Sequence, residues 1–167
     1  AKPAPGAINA VTGRPDFTFP NGEPEVVDWL GQKNQIDACP KGAHVVVCSS
    51  MGGTDPNHPL NQLGKIVNDD GTSSGGNILM WKRKSEMYLT EQEHLSYTIV
   101  HPGGLLNEPG GERALVISVD DDMSGSESRT TPREDVAQVM FEALRYPDVY
   151  AGRSFDLRAD AKVEGNY

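Results

Sequence analysis

Short apolar runs without polar alternation recur along the chain and predict buried β-strands. The clearest is His44–Ser50, where three consecutive valines are typical of a strand covered on both faces, as in a parallel sheet. Tyr97–Val100 predicts a second strand, which Pro102 stops. Leu115–Val119 and Ser154–Leu157 are further candidates. The chain is therefore expected to form a thin sheet of three or four strands.

Three segments carry apolar residues at helical spacing. Residues 25–39 predict the first helix, and residues 77–93 predict the second. The clearest helix is Pro132–Arg145, for which Thr131 is predicted as the N-cap. The order helix, strand, helix, strand, strand, helix, strand predicts an α/β fold with a doubly wound, mostly parallel sheet. Because so few strands would leave an apolar edge exposed, we expect this chain to form only part of such a fold.

Stretches rich in proline, glycine or polar residues predict loops around these elements. Residues 1–24 are expected to form an extended loop or linker, residues 52–76 a polar loop, and residues 159–167 a polar tail. The run Asp120–Asp122 is predicted to cap a turn and to be solvated. It does not predict a metal site, because a hard cation needs oxygen ligands from several loops. These boundaries leave one partial domain over residues 25–158.

Charge and cysteine content narrow the range of partners. A formal net charge of −9 and a pI of about 4.8 repel phosphate backbones, so nucleic acid is not expected as a partner. The two cysteines, Cys39 and Cys48, form no CxxC pair and show no zinc-ligand spacing with the four histidines. This pattern favours a reducing compartment and predicts no metal site. No uncharged apolar stretch approaches the ~20 residues that span a bilayer.

Polar residues and glycines follow both buried strands, where open α/β sheets bind ligands. Ser49 and Ser50 lead into Met51 and two glycines, and His101 leads into the turn Pro102–Gly104. A serine there can donate a hydrogen bond to a carbonyl or hydroxyl group, and a histidine can act as acid or base. Both segments also have a purely structural interpretation, because glycines allow the chain to turn.

A basic run on the second predicted helix is another candidate. Lys82 follows Trp81 at the edge of the apolar face, where an ammonium group can bind ribose hydroxyls. The same run, Lys82–Lys84, can equally be a solvated helix face. The glycine-rich run Gly71–Gly76 follows no strand and lacks a Lys-Ser/Thr pair, so it predicts a linker. The chain has no G-x-S-x-G motif, which argues against a Ser-His-Asp hydrolase.

Several motifs occur in a fixed order over residues 13–158. They are Gly13–Pro15, Val27–Ala38, Val47–Thr54, Trp81–Glu86, Tyr97–Leu105 and the helix start Pro132–Ala137. Together they resemble an atypical short-chain dehydrogenase/reductase, of the plant and algal chloroplast group of NAD(P)-binding Rossmann-fold proteins. Relative to that group, Lys65–Gly75 resembles a polar insertion.

The resemblance implies a dinucleotide site that is only partly present. In that family the first strand and the G-x-x-G-x-x-G turn precede the position of Gly13, so an N-terminal third is expected to be missing. The complete protein is expected to bind NADP or NAD. Residues 1–167 alone are expected to bind none, because the pyrophosphate needs backbone amides of that turn.

The resemblance also implies roles for individual residues. Ser50 and Lys82 match the catalytic serine and lysine positions, whereas the tyrosine expected four residues before the lysine is Ile78. An apolar side chain cannot act as the acid in hydride chemistry. His101 stands where the family often has arginine. The residues expected to contact the cofactor are Ser49, Ser50, Met51, Lys82, His101, Pro102, Gly103 and Gly104.

Two function classes follow from this resemblance. One is an NAD(P)-binding reductase-like protein that does not use the standard Tyr-Lys pair. The other is a non-catalytic Rossmann-fold scaffold, a subunit docked on a larger, photosynthetic complex. The resemblance implies a chloroplast location, in the stroma or at the thylakoid, with the cytoplasm as the alternative. A metal-dependent hydrolase has no ligand set in this sequence.

Overall fold

The computed structural model describes residues 1–8, 15–124 and 128–160. Its strands are β1 (Ala4–Ile8), β2 (Pro15–Thr18), β3 (His44–Cys48), β4 (Ile66–Val67), β5 (Ser73–Ser74), β6 (Ser96–Pro102), β7 (Gly104–Leu106), β8 (Leu115–Ser118), β9 (Thr130–Pro132) and β10 (Arg153–Ala159). Its α-helices are α1 (Gln32–Asp37), α2 (Pro59–Gln62), α3 (Ile78–Thr90), α4 (Arg133–Arg145) and α5 (Pro147–Tyr150), and a π-helical segment, Glu25–Gly31, precedes α1. The motif residues Gly13 and Arg14 and the predicted tail over residues 161–167 lie outside the described residues.

The chain forms two compact units. The first contains the described residues of Ala1–Cys39 together with Asp55–Leu89, and the second contains Pro40–Thr54 together with the described residues from Thr90 onward. The prediction of one partial domain over residues 25–158 stays a prediction.

The first unit combines α3 with several shorter elements. Strands β1 and β2 pair antiparallel, where residues 1–24 were expected to be an extended loop. Its core contains the buried side chains of Phe19, Ile78 and Leu79. The helix predicted over residues 25–39 is present as the π-helical segment followed by α1.

The expected polar loop over residues 52–76 is more ordered than its composition indicates. It contains α2 and a small antiparallel hairpin of β4 and β5, which holds most of the predicted insertion Lys65–Gly75. The side chain of Asn61 is completely buried and accepts a hydrogen bond from the Leu79 amide at 2.9 Å. Because that amide lies in the first turn of α3, where backbone amides lack partners within the helix, the polar segment caps the helix.

The second unit is built on a four-stranded sheet in the order β3-β6-β10-β8. Strand β6 pairs in parallel with both β3 and β10, and β8 runs antiparallel to β10. The predicted α/β fold with a mostly parallel sheet is therefore confirmed. Strand β6 continues through His101 and Pro102 instead of stopping there, because a proline at a strand end still offers its carbonyl group.

Helix α4 covers the sheet of the second unit. Val136 packs with Val100, Phe155 and Leu157 in a buried cluster. The predicted N-cap role of Thr131 is wrong: its hydroxyl is buried and donates to the Leu157 carbonyl at 2.8 Å. Pro132 occupies the N-cap position and makes no side-chain hydrogen bond there. None of the helices in the described parts of the chain is long and apolar enough to cross a membrane.

Candidate functional site

The segments that follow β3 and β6 lie side by side at the carboxyl edge of the sheet. The Ser49 amide donates to the Val100 carbonyl at 2.8 Å, and the Met51 amide donates to the Pro102 carbonyl at 3.1 Å. The strand pairing therefore continues past β3 and aligns the serines with the end of β6. This places the predicted residues around Ser50 and His101 at one edge, as parallel strands require.

Ser49 and Ser50 differ in exposure at this edge. Ser49 is buried, whereas Ser50 is half-buried. The Ser50 hydroxyl donates to the Met51 carbonyl at 3.1 Å, a local bond that a ligand oxygen can replace. Of the two serines, Ser50 is thus the one whose hydroxyl is available to a ligand.

His101 has a carboxylate partner that sequence spacing does not reveal. Its Nδ1 atom lies 3.4 Å from Oδ1 of Asp156, and their side chains are 14% and 3% exposed. The parallel register of β6 and β10 puts the two residues opposite each other. A carboxylate beside an imidazole fixes the orientation of the ring.

The two glycines after Pro102 have different reasons to be glycine. A Cβ on Gly103 would lie 2.5 Å from the Arg129 carbonyl oxygen, so the packing of the backbone excludes any side chain. A Cβ on Gly104 would meet its nearest neighbours at an ordinary 3.5 Å. The need for glycine at position 103 is therefore structural, and Gly104, which is exposed, is the freer of the two to approach a ligand.

Asp121 contacts the turn after β3, contrary to the expectation that Asp120–Asp122 is solvated. Its carboxylate is half-buried and accepts hydrogen bonds from the amides of Gly52 and Thr54. Burial alone would raise the pKa of Asp121, but these hydrogen bonds outweigh it and hold the pKa below its ordinary 3.8. Asp122 does cap a turn, since it accepts from the Ser124 amide at 2.8 Å.

Lys82 belongs to the first unit and is paired there. Its Nζ atom lies 2.9 Å from Oδ1 of the buried Asp28. The neighbouring Lys84 places its ammonium group 4.5 Å from the ring centre of Trp29 and 5.0 Å from that of Trp81. The two lysines are thus distinct: one ends in an ion pair, and the other lies over aromatic rings.

Ile78 occupies the first turn of α3 and is buried in the core of the first unit. No proton donor is therefore available at this position.

A cavity of about 390 Å³ opens in the second unit beyond β7. Its wall is both apolar and charged, and the residues that line it are Leu106, Asn107, Glu108, Pro109, Arg133 and Glu134. Its volume lies at the small end of the range for small-molecule sites. No group of three or more His, Cys, Asp or Glu residues is placed to hold a metal in the described parts of the chain.

Comparison with known proteins gives relatives over most of the chain. An uncharacterized chloroplastic protein of Arabidopsis thaliana is 45% identical over 144 residues, which are 84% of this chain and 41% of the relative. Sanguinarine reductase of Eschscholzia californica is 43% identical over 154 residues, which are 90% of this chain and 51% of that enzyme. The chain thus spans about half the length of these relatives or less.

Solved structures agree on the fold. A putative NAD-dependent epimerase/dehydratase from Bacillus halodurans matches with a TM-score of 0.61 at 23% identity, covering 87% of this chain and 62% of that one. The oxidoreductase ylbE from Lactococcus lactis matches with a TM-score of 0.58 at 21% identity, covering 87% and 61%. Both support a Rossmann-like sheet.

A family model described as NAD(P)H-binding matches residues 9–147, which include all of β3, α3, β6 and α4. The chain therefore belongs to the NAD(P)H-binding family, and its fold is Rossmann-like.

Proposed function

We propose that the full-length protein is an NAD(P)H-dependent reductase whose nicotinamide side is formed by the carboxyl edge of the sheet. The observation that carries this proposal is the alignment of Ser49–Met51 with the end of β6 through two backbone hydrogen bonds. That alignment brings together a half-exposed hydroxyl, the His101–Asp156 pair and the exposed backbone of Gly104. A neutral hydroxyl donor and a backbone without a side chain, which a ligand can approach closely, suit the flat, amide-bearing nicotinamide ring.

Within this proposal, Ser50 is the catalytic residue that orients the group being reduced. A bound nicotinamide nucleotide would supply the hydride. Because Ile78 cannot donate a proton, protonation is assigned to Ser50 or to His101, which Asp156 keeps oriented. The cavity beyond β7 is the proposed place for the rest of the substrate. Sanguinarine is the first acceptor to assay, since one relative is named sanguinarine reductase.

Lys82 is proposed to bind the cofactor in the full-length protein. We expect Lys82→Met to weaken NADPH binding, measured by nicotinamide fluorescence, whereas Lys84→Met leaves it within about twofold. The two substitutions are matched, because each keeps the aliphatic stem and removes the charge. Lys82→Arg serves as the rescue variant, since it restores a partner for buried Asp28. Equal dissociation constants for the two methionine variants would refute this role.

A chloroplast location is proposed from the chloroplastic relatives of Arabidopsis thaliana. Localisation of a fluorescent fusion of the full-length protein, with fractionation into stroma and thylakoid, tests it. The scaffold hypothesis is not favoured, because the family match and the reductase relative both indicate nucleotide chemistry. That residues 1–167 alone bind no dinucleotide stays a prediction.

A further inference from the structure

A single carboxylate closes the turn that follows β3. Oδ1 of Asp121 accepts a hydrogen bond from the Gly52 amide at 2.6 Å. Its Oδ2 accepts from the Thr54 amide at 3.0 Å and also from the Thr54 hydroxyl. Hydrogen bonds to an ionised acceptor are about twice as strong as neutral ones. Because Ser50 and Met51 directly precede this turn, its conformation determines where they project.

Asp121 is also tied to the pair at the end of β6. Its backbone amide donates to Oδ2 of Asp156 at 2.8 Å, and the other oxygen of Asp156 lies 3.4 Å from Nδ1 of His101. One chain of contacts therefore connects the turn after β3, the aspartate on β10 and the histidine on β6. Three separate segments of the proposed site share one polar network.

The backbone after Asp121 is anchored by a buried cation. Arg158 is completely buried, and its Nη2 donates to the carbonyls of Asp122 and Ser124 at 3.1 and 3.0 Å. Asp121 itself has a φ of 59°, in the left-handed region that asparagine and aspartate tolerate best. The position is thus held in a demanding conformation by contacts on both sides, which fixes the carboxylate against the turn.

We propose that Asp121 is a positioning residue of the dinucleotide site, holding Ser50–Thr54 in the conformation that receives the cofactor. The inference rests on the proposed function. A turn that is already ordered loses little conformational entropy when ligand binds. Without the carboxylate, two amides and a hydroxyl lose their acceptor, and the cofactor must then order the segment itself.

The test compares Asp121→Asn with Asp120→Asn in the full-length protein. Both sites are left-handed, with φ of 59° and 57°, and asparagine suits that conformation, so backbone preference is matched. Asp120 is exposed and serves as the control. NADPH affinity is measured by fluorescence titration. Hydrogen exchange of the Gly52 and Thr54 amides is followed without ligand, and circular dichroism checks the fold.

We expect Asp121→Asn to weaken NADPH binding about tenfold, as the loss of one charge-assisted bond predicts, and to speed exchange at both amides. Asp120→Asn should change neither. Equal affinities for the two variants would overturn the inference while leaving the proposed function intact. If the wild-type protein binds no dinucleotide, the proposed function fails and the inference fails with it. In that case, slow exchange at the Gly52 and Thr54 amides would show that Asp121 orders the turn for a purpose other than dinucleotide binding.

A second pair of variants covers the case in which Asp121→Asn does not fold. Thr54→Val removes one of the three bonds and should weaken NADPH binding about threefold, whereas Thr54→Ser should restore it. Identical affinities for Thr54→Val and Thr54→Ser would overturn the inference independently.

Discussion

Gly103 packs its backbone against the carbonyl group of Arg129, and its amide donates to the Leu157 carbonyl at 3.0 Å. We expect Gly103→Ala to lower the free energy of unfolding by about 1–3 kcal/mol, because the added methyl group overlaps backbone that cannot move cheaply. Gly104→Ala is the matched control and should change it by less than about 1 kcal/mol. Denaturant unfolding of both variants measures the difference, and similar values would contradict the packing argument.

Protonation of His44 makes the free energy of unfolding depend on pH. Its two ring nitrogens lie 2.8 Å from the Ser96 hydroxyl and 3.1 Å from the Thr98 hydroxyl. Burial lowers the pKa of His44 below its ordinary 6.5. Between the lowered value and 6.5 the unfolded chain binds more protons than the folded one. The stability contributed by neutral His44 is therefore complete above 6.5 and is lost as pH falls through the lowered pKa.

The corresponding variant is His44→Gln, which keeps hydrogen-bonding groups but cannot titrate. We expect its free energy of unfolding to depend less on pH just below 6.5 than that of the wild-type protein. His94→Gln, at an exposed position, should retain the wild-type slope. Denaturant unfolding at a series of pH values gives both slopes. An unchanged slope in His44→Gln would show that other groups cause the dependence.

At the scale of elements, Thr131 joins the start of α4 to strand β10. Its hydroxyl donates to the buried Leu157 carbonyl and does not cap the helix. Thr131→Val should lower the free energy of unfolding by about 1–2 kcal/mol, because the carbonyl loses a partner. Thr131→Ser should retain most of the stability. If Thr131→Asn, a better N-cap, were as stable as the wild-type protein, the capping interpretation would stand instead.

The first turn of α4 shows a second connection between elements. Glu134 accepts from the Gly110 amide at 2.8 Å, and Asp135 accepts from the Gly111 amide at 2.7 Å. Acidic residues in the first turn also favour the positive end of the helix dipole. They also bind the loop between β7 and β8 at Gly110 and Gly111. These glycines directly follow Pro109, which lines the cavity beyond β7.

At the scale of the whole molecule, local pattern predicts most of the sheet but not the site around it. The strands β3 and β6 follow from apolar runs, because burial in a parallel sheet favours such runs, whereas β10 carries Asp156 and Arg158 among its apolar residues. The partnership of His101 with Asp156 depends on the register between β6 and β10, which joins residues far apart in sequence. The spacing of residues along the chain does not reveal that register.

Asp121 and Arg158 were missed for a related reason. A run of acidic residues is usually solvated, and an arginine near a chain end is usually exposed. In this fold Arg158 is completely buried, and Asp121 reaches the turn after β3 because β8 ends at Ser118, which pairs with Asp156. The signal available in the sequence was the Asp120–Asp122 run itself, beside a strand end. Its meaning depends on tertiary contacts.

Nucleotide affinity of the full-length protein tests the central claim most directly. NADPH and NADH are titrated up to millimolar concentration, with nicotinamide fluorescence and thermal shift as independent readouts. We predict saturable binding of at least one of the two, with a rise in Tm that grows with ligand concentration as linkage requires. Absence of binding and of any Tm shift for both nucleotides at millimolar concentration would contradict an NAD(P)H-dependent role.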